Sequence, residues 1–161
     1  MDYTLPEFLA HAIALEREAA DRYLELADMM ESYRNDSVSA LFRDMVAYSR
    51  MHHDSIVERA HGVALPALRP AQYRWTRSPE AGGEEAFDYR IDAYSALCYA
   101  RENEVRAMEY YSGVGLGASD PEVKRLATEF AAEETEHVDA LDDWIARTPR
   151  PGTPWHDAAP R

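Results

Sequence analysis

Three glutamates in this chain stand where apolar side chains belong. Glu16 lies between Ile13 and the pair Ala19 and Ala20, Glu104 between Ala100 and the pair Ala107 and Met108, and Glu134 follows Phe130 and Ala131. An ionised carboxylate taken out of water without a partner costs several kcal/mol or changes its protonation state, so three such placements need a common cause. His137 follows Glu134 by one helical turn, and the i, i+3 spacing aims both side chains the same way, as a pair of metal ligands requires. His52 falls in the row Val38, Leu41, Met45, Tyr48, His52, Ile56. Imidazole and carboxylate together suit iron, manganese or zinc without selecting among them. Plainer readings stand beside these. Glu102 is the alternative inward acid on its helix, Glu133 and Glu136 read as surface acids, and His53, turned about 100° from His52, reads as exposed. His52 is either a ligand or a satisfied core histidine. Core packing explains Tyr23 and Tyr111, which follow the glutamates; hydrogen bonds to carboxylates or electron relay are the other roles open to them.

Four helices are needed to position these groups. Thr4-Leu-Pro-Glu7 is a capping box with proline in the first turn, and apolar residues at Leu9, Ile13, Ala19, Ala20, Tyr23, Ala27 and Met30 predict a helix over 5–33. The RNDS turn supplies an N-cap, and a second helix runs to Gly62. From Gly62 to Phe87 the period dissolves into proline, glycine and isolated aromatics, a long connection holding at most a helical turn. The period resumes at Asp88, passes through Ile91, Tyr94, Leu97, Ala100 and Tyr111, and is expected to stop at the SGVGLGAS stretch. Ser119-Asp-Pro-Glu122 reads as a second capping box, opening a fourth helix that ends before TPRPGTP. The expected organisation is a bundle over 1–147, with a crossover at 62–87, and a proline-rich tail at 148–161 that only Trp155 could pin. Helices linked short, long, short describe an all-α fold of two antiparallel hairpins joined by one crossover. A crossover also gives the long loop its reason.

An internal repeat supports this arrangement. Aligning Glu16 with Glu104 brings Ala19 onto Ala107 and Tyr23 onto Tyr111; aligning His52 with His137 brings Leu41 onto Leu126 and Ser49 onto Glu134. The two hairpins look like duplicated half-sites whose acids and histidines meet at mid-bundle. In the second helix a serine stands where the repeat has a carboxylate.

The stretches AIALEREAADRYLELA, ENEVRAMEYY and FAAEETEHVDAL, in this helix order, resemble the rubrerythrin branch of the ferritin-like superfamily, whose fold is a four-helix bundle. The resemblance covers about Leu9 to Ile145. It implies a site with a glutamate from the first and third helices and Glu-x-x-His from the second and fourth, holding two metals, usually iron. Carried onto matching positions, the metal ligands are Glu16, His52, Glu104, Glu134 and His137. Ser49 departs from the pattern, so one carboxylate of four is absent and the second metal is less well compensated. Two functions follow as expectations. One is a non-haem oxidoreductase acting on peroxide, dioxygen or ferrous iron and fed by an external electron donor, since no rubredoxin-like domain accompanies the bundle. The other is a non-catalytic metal-binding or storage module with a degenerate site. The resemblance also makes a homodimer an open expectation.

Composition bounds the rest. A length of 161 residues, 46% hydrophobic, suits one packed domain. The single Cys98 excludes an intramolecular disulfide framework and paired-cysteine zinc or iron sites, which makes the cytoplasm the expected compartment. A net charge of -13 argues against nucleic acid and anionic membrane surfaces as partners. Neither a basic leader with an apolar core nor a long uninterrupted apolar run is visible.

Overall fold

A computed structural model of the protein describes residues 2–75 and 90–151. Within them the chain forms α1 (Leu5–Ser32), α2 (Asp36–Arg59), a 3-10 turn (Pro70–Gln72), α3 (Ala93–Gly117) and α4 (Pro121–Arg147), with no strand among the described residues. The expectations placed on residues 76–89, including Phe87 and Asp88, and on Trp155 and the end of the tail lie outside the described residues.

Local chemistry sets the helix ends. The Glu7 carboxylate accepts from both the Thr4 backbone N–H and the Thr4 hydroxyl at 2.9 Å, closing the first turn of α1. Arg34, in the left-handed region at φ 62°, lets the chain reverse within three residues into α2. The N-cap Asn35 does not cap with its side chain; its amide N–H instead donates to the Ile91 carbonyl at 2.8 Å and ties this turn to the approach to α3.

Two helix boundaries differ from the sequence reading. The fourth helix is capped by Asp120, not Ser119: its carboxylate accepts from the N–H groups of Glu122 (2.8 Å) and Val123 (3.4 Å), while the Ser119 N–H donates to Asp2. The third helix begins at Ala93, after the N-cap Asp92, and continues through SGVGLG to Gly117. Isolated helices lose about 1 kcal/mol at each internal glycine. Here tertiary packing outweighs that loss, because Val114 and Gly115 are buried against α4. A Cβ on Gly115 would come within 3.2 Å of Thr128 Oγ1, so the bare Cα is what lets the two helices approach. Gly115→Leu is therefore expected to destabilise the protein by about 1–3 kcal/mol through overpacking, read as a lowered Tm.

Helix α1 packs along α2 and α3 along α4; the two hairpins meet through α2 with α3 and α1 with α4. Two apolar clusters fill the interior. One gathers Tyr23, Leu26 and Met30 of α1, Phe42 and Met45 of α2, Leu97 of α3 and Leu141 of α4. The other gathers Phe8 and Leu9 of α1, Ile56 of α2, Tyr111 and Val114 of α3, and Phe130 of α4. The start of α1 thus shares an end of the bundle with the end of α2, the end of α3 and the start of α4, so α2 and α3 run the same way. That direction sets Ala60 and Ala93 at opposite ends of the bundle, as two antiparallel hairpins joined by one crossover require. No helix among the described residues is long and apolar enough to cross a membrane.

Candidate metal centre

Between the two apolar clusters lies a layer of acid and imidazole. Glu16, Glu104 and Glu134 are all buried, at 2%, 5% and 1% exposure, whereas the alternative Glu102 is exposed. Each glutamate comes from the middle of a different helix, and His52 of α2 and His137 of α4 complete the layer, their rings 4.4 Å apart. The five side chains singled out from the sequence are thus brought together.

Their arrangement has two halves sharing one carboxylate. Glu134 sets Oε1 at 3.4 Å from His52 Nδ1 and Oε2 at 3.3 Å from His137 Nδ1. Glu16 Oε1 lies 3.7 Å from the same nitrogen of His52, and Glu104 Oε2 lies 3.3 Å from that of His137. Ligand atoms of His52, Glu134 and His137 all fall within 4.8 Å of one another, a spacing that could hold a metal ion.

Two tyrosines reach across the bundle to the outer carboxylates. Tyr111 of α3 donates to Glu16 Oε1 at 3.4 Å, and Tyr23 of α1 donates to Glu104 Oε1 at 3.3 Å. Both are fully buried. Core packing therefore describes only their rings, and the hydroxyls hold the glutamates' orientation. Asn103, completely buried, donates its amide N–H to the Tyr23 hydroxyl at 3.1 Å and accepts from Arg106. Sequence reasoning passed over Asn103. Its signal was a polar residue directly before Glu104 in a helix whose neighbouring faces are apolar.

The face of α2 needs a correction. Tyr48, expected in the inward row, is half exposed at 49% and lies against the His137 ring at 5.9 Å between centroids; Ser49 is buried at 6%. After Met45 the inward stripe steps by four to Ser49 and then by three to His52, because a helix turns 3.6 residues. The Ser49 hydroxyl donates to the Met45 carbonyl at 3.2 Å, inside its own helix. His53 turns outward and pairs with Asp54 at 3.0 Å.

Electrostatics follow from the geometry. Burial pushes the Glu16 and Glu104 carboxyls up to about 7, against the pull of the His52 and His137 imidazoles that face them. Burial would raise Glu134 too, but both histidines bond to it and hold it down at about 2. Burial disfavours the imidazolium of each histidine, yet the carboxylates facing them win: His52 rises to about 10 and His137 to about 9. In the metal-free chain the two imidazolium groups thus balance the buried acids, occupying the electrostatic role that cations fill in a metal site.

Comparison with known proteins agrees with this architecture. The Ferritin family model, described as Ferritin-like domain, matches residues 6–150. A crystal structure at 2.00 Å of an uncharacterized conserved protein from Magnetospirillum magnetotacticum MS-1 is similar over 94% of this chain and 100% of that one, with 55% identity and a TM-score of 0.72. No curated protein matches. With four helices among the described residues and an acid and histidine layer at mid-bundle, the chain belongs to the ferritin-like family.

Proposed function

We propose that the chain is a two-metal carboxylate oxidoreductase of the rubrerythrin type, with iron as its metal and peroxide, dioxygen or ferrous iron as its substrate. The observation that carries this reading is the placement of Glu134, one carboxylate oxygen toward each histidine, with a second buried glutamate on either side. The donor set fits iron: oxygen and imidazole nitrogen, no thiolate, and enough negative charge to draw divalent ions into an otherwise apolar interior. Glu16, His52 and one oxygen of Glu134 would hold one ion; Glu104, His137 and the other oxygen would hold a second. Bound iron supplies one-electron chemistry and polarises a substrate oxygen.

The chain's own residues do the remaining work. Tyr111 and Tyr23 fix the outer carboxylates by hydrogen bonds across the bundle, so each glutamate is aimed before metal arrives. His52 and His137 release their protons on loading, since only neutral imidazole ligates. Glu16 and Glu104, with carboxyls near neutrality in the metal-free chain, are suited to hold a proton at an oxygen not engaged by metal. Reducing equivalents come from a separate donor.

Three carboxylates leave one positive charge of two divalent ions unbalanced, and Ser49 is the place where a fourth acid would stand. Ser49→Glu is expected to tighten binding of the second ion in a calorimetric titration; unchanged affinity and stoichiometry would show that position 49 does not face the metals. The test of function is to load the chain with ferrous iron, add peroxide without oxygen and follow oxidation by near-ultraviolet absorbance. Rapid oxidation supports the oxidoreductase. Iron that binds and stays ferrous supports a metal-binding or storage module instead.

A further inference from the structure

The two halves of the site differ in what stands behind their tyrosines. Behind Tyr111 is a run of oxidisable rings. Its centroid is 5.3 Å from that of Tyr110, Tyr110 is 5.6 Å from Trp75, and Trp75 is 5.0 Å from Tyr73. The run begins at a fully buried ring bonded to Glu16 and ends at Trp75 and Tyr73, both half-buried, with Tyr73 accepting from the Arg17 guanidinium at 3.0 Å. Tyr23 in the other half stacks on Phe42, a ring far harder to oxidise, and receives Asn103 at its hydroxyl.

We propose that Tyr111, Tyr110 and Trp75 form a one-electron route between the Glu16 half of the site and the protein surface. The proposal rests on the reading of that site as an iron centre. Its use is clearest when one ferrous ion is bound. Reducing hydrogen peroxide to two waters breaks the O–O bond and consumes two electrons and two protons, but one ferrous ion going to ferric supplies a single electron. Tyr111 supplies the other; its phenolic proton passes along the hydrogen bond to Glu16 and is held there, and both protons that complete the two waters come from solvent. The oxidised Tyr111 is then reduced by Trp75 through Tyr110 and recovers its proton from Glu16, leaving the electron deficit at the surface, where a donor can fill it. Tyr110 is placed for this passage as the ring between the two, and its hydroxyl, 2.9 Å from that of Tyr3, is held by that hydrogen bond. The Arg74 guanidinium over the Tyr3 ring, at 4.3 Å, disfavours a lasting positive charge there and keeps the deficit on the Trp75 branch.

The test loads wild type, Tyr111→Phe, Trp75→Phe and, as the control, Tyr99→Phe, a ring that packs on Phe42 away from the run, with one equivalent of ferrous iron, confirms iron content and folding, and adds one equivalent of hydrogen peroxide without a reductant. Frozen samples are read by electron paramagnetic resonance and quenched samples by peptide mass spectrometry. Wild type and Tyr99→Phe are expected to show an organic radical and oxidation at Trp75. Trp75→Phe keeps a tyrosyl signal, and Tyr111→Phe loses both radical and Trp75 oxidation. Diffusing hydroxyl radical would instead mark the exposed Tyr33 in every variant and Trp75 equally wherever it is present, which would overturn the route. No radical in iron-loaded wild type would overturn it as well, while leaving the metal site standing. A chain that takes up no iron would overturn the metal reading and the route together.

Discussion

Glu134→Ala is expected to abolish stable metal binding. Each half of the site would retain one glutamate and one histidine, too few donors to hold an ion against water, because Glu134 is the carboxylate that both halves share. The loss should appear as iron content near zero in protein purified from iron-supplemented cells. Stability falls too, since removing one member of a buried, hydrogen-bonded ionic group costs about 3–5 kcal/mol before the remaining partners adjust their protonation. At this chain length 1 kcal/mol shifts Tm by about 2–4 °C, so the change is readily measured in metal-free protein. Glu102→Ala, on the exposed face of α3, serves as the comparison and should leave both quantities unchanged. Iron content in Glu134→Ala equal to wild type would contradict this role.

The second large effect is an inversion of the pH dependence of stability by metal. In the metal-free chain Glu134 has its carboxyl depressed to about 2, so its contribution is present above about 4.5 and lost as pH falls toward 2. Glu16 and Glu104 are raised to about 7 by burial; the folded state binds more protons than the unfolded one between about 4.5 and 7, and stability falls as pH rises through that window. His52 and His137 are raised to about 10 and about 9, so what their ion pairs contribute is fully present below about 6.5 and lost as pH climbs through 9 and 10. The metal-free site thus favours folding most near pH 4.5. Metal competes with the same protons, and each proton displaced makes apparent affinity rise about tenfold per pH unit below the pKa of its ligand. Thermal melts from pH 4 to 9 should show Tm falling with pH without metal and holding or rising with iron or zinc present. Parallel curves would mean that the buried acids and histidines are not the ligands.

Periodicity and capping made most of this architecture legible. Glu16, Glu104 and Glu134 stood out because a carboxylate on an apolar stripe is costly, and that cost does not depend on knowing the neighbouring helices. What the sequence concealed was tertiary. SGVGLG reads as a helix end, and only the close approach of Thr128 to Gly115 explains why the helix continues. Tyr48 and Ser49 are adjacent, and a purely apolar stripe selects the tyrosine, although the repeat had already set Ser49 against Glu134; it is Ser49 that is buried. The reciprocal bonds of Tyr23 to Glu104 and Tyr111 to Glu16 join residues more than eighty positions apart. The repeat placed those tyrosines at equivalent positions, but not the exchange of partners between halves.

The central claim is that Glu134 stands between two metal positions. Anomalous diffraction from crystals of the iron-loaded chain, with data on both sides of the iron absorption edge, tests it most directly. Two anomalous peaks are expected, one on the side of Glu16 and His52 and one on the side of Glu104 and His137, with an oxygen of Glu134 toward each. A single peak shared by His52, Glu134 and His137, or no peak in the layer at all, would contradict it.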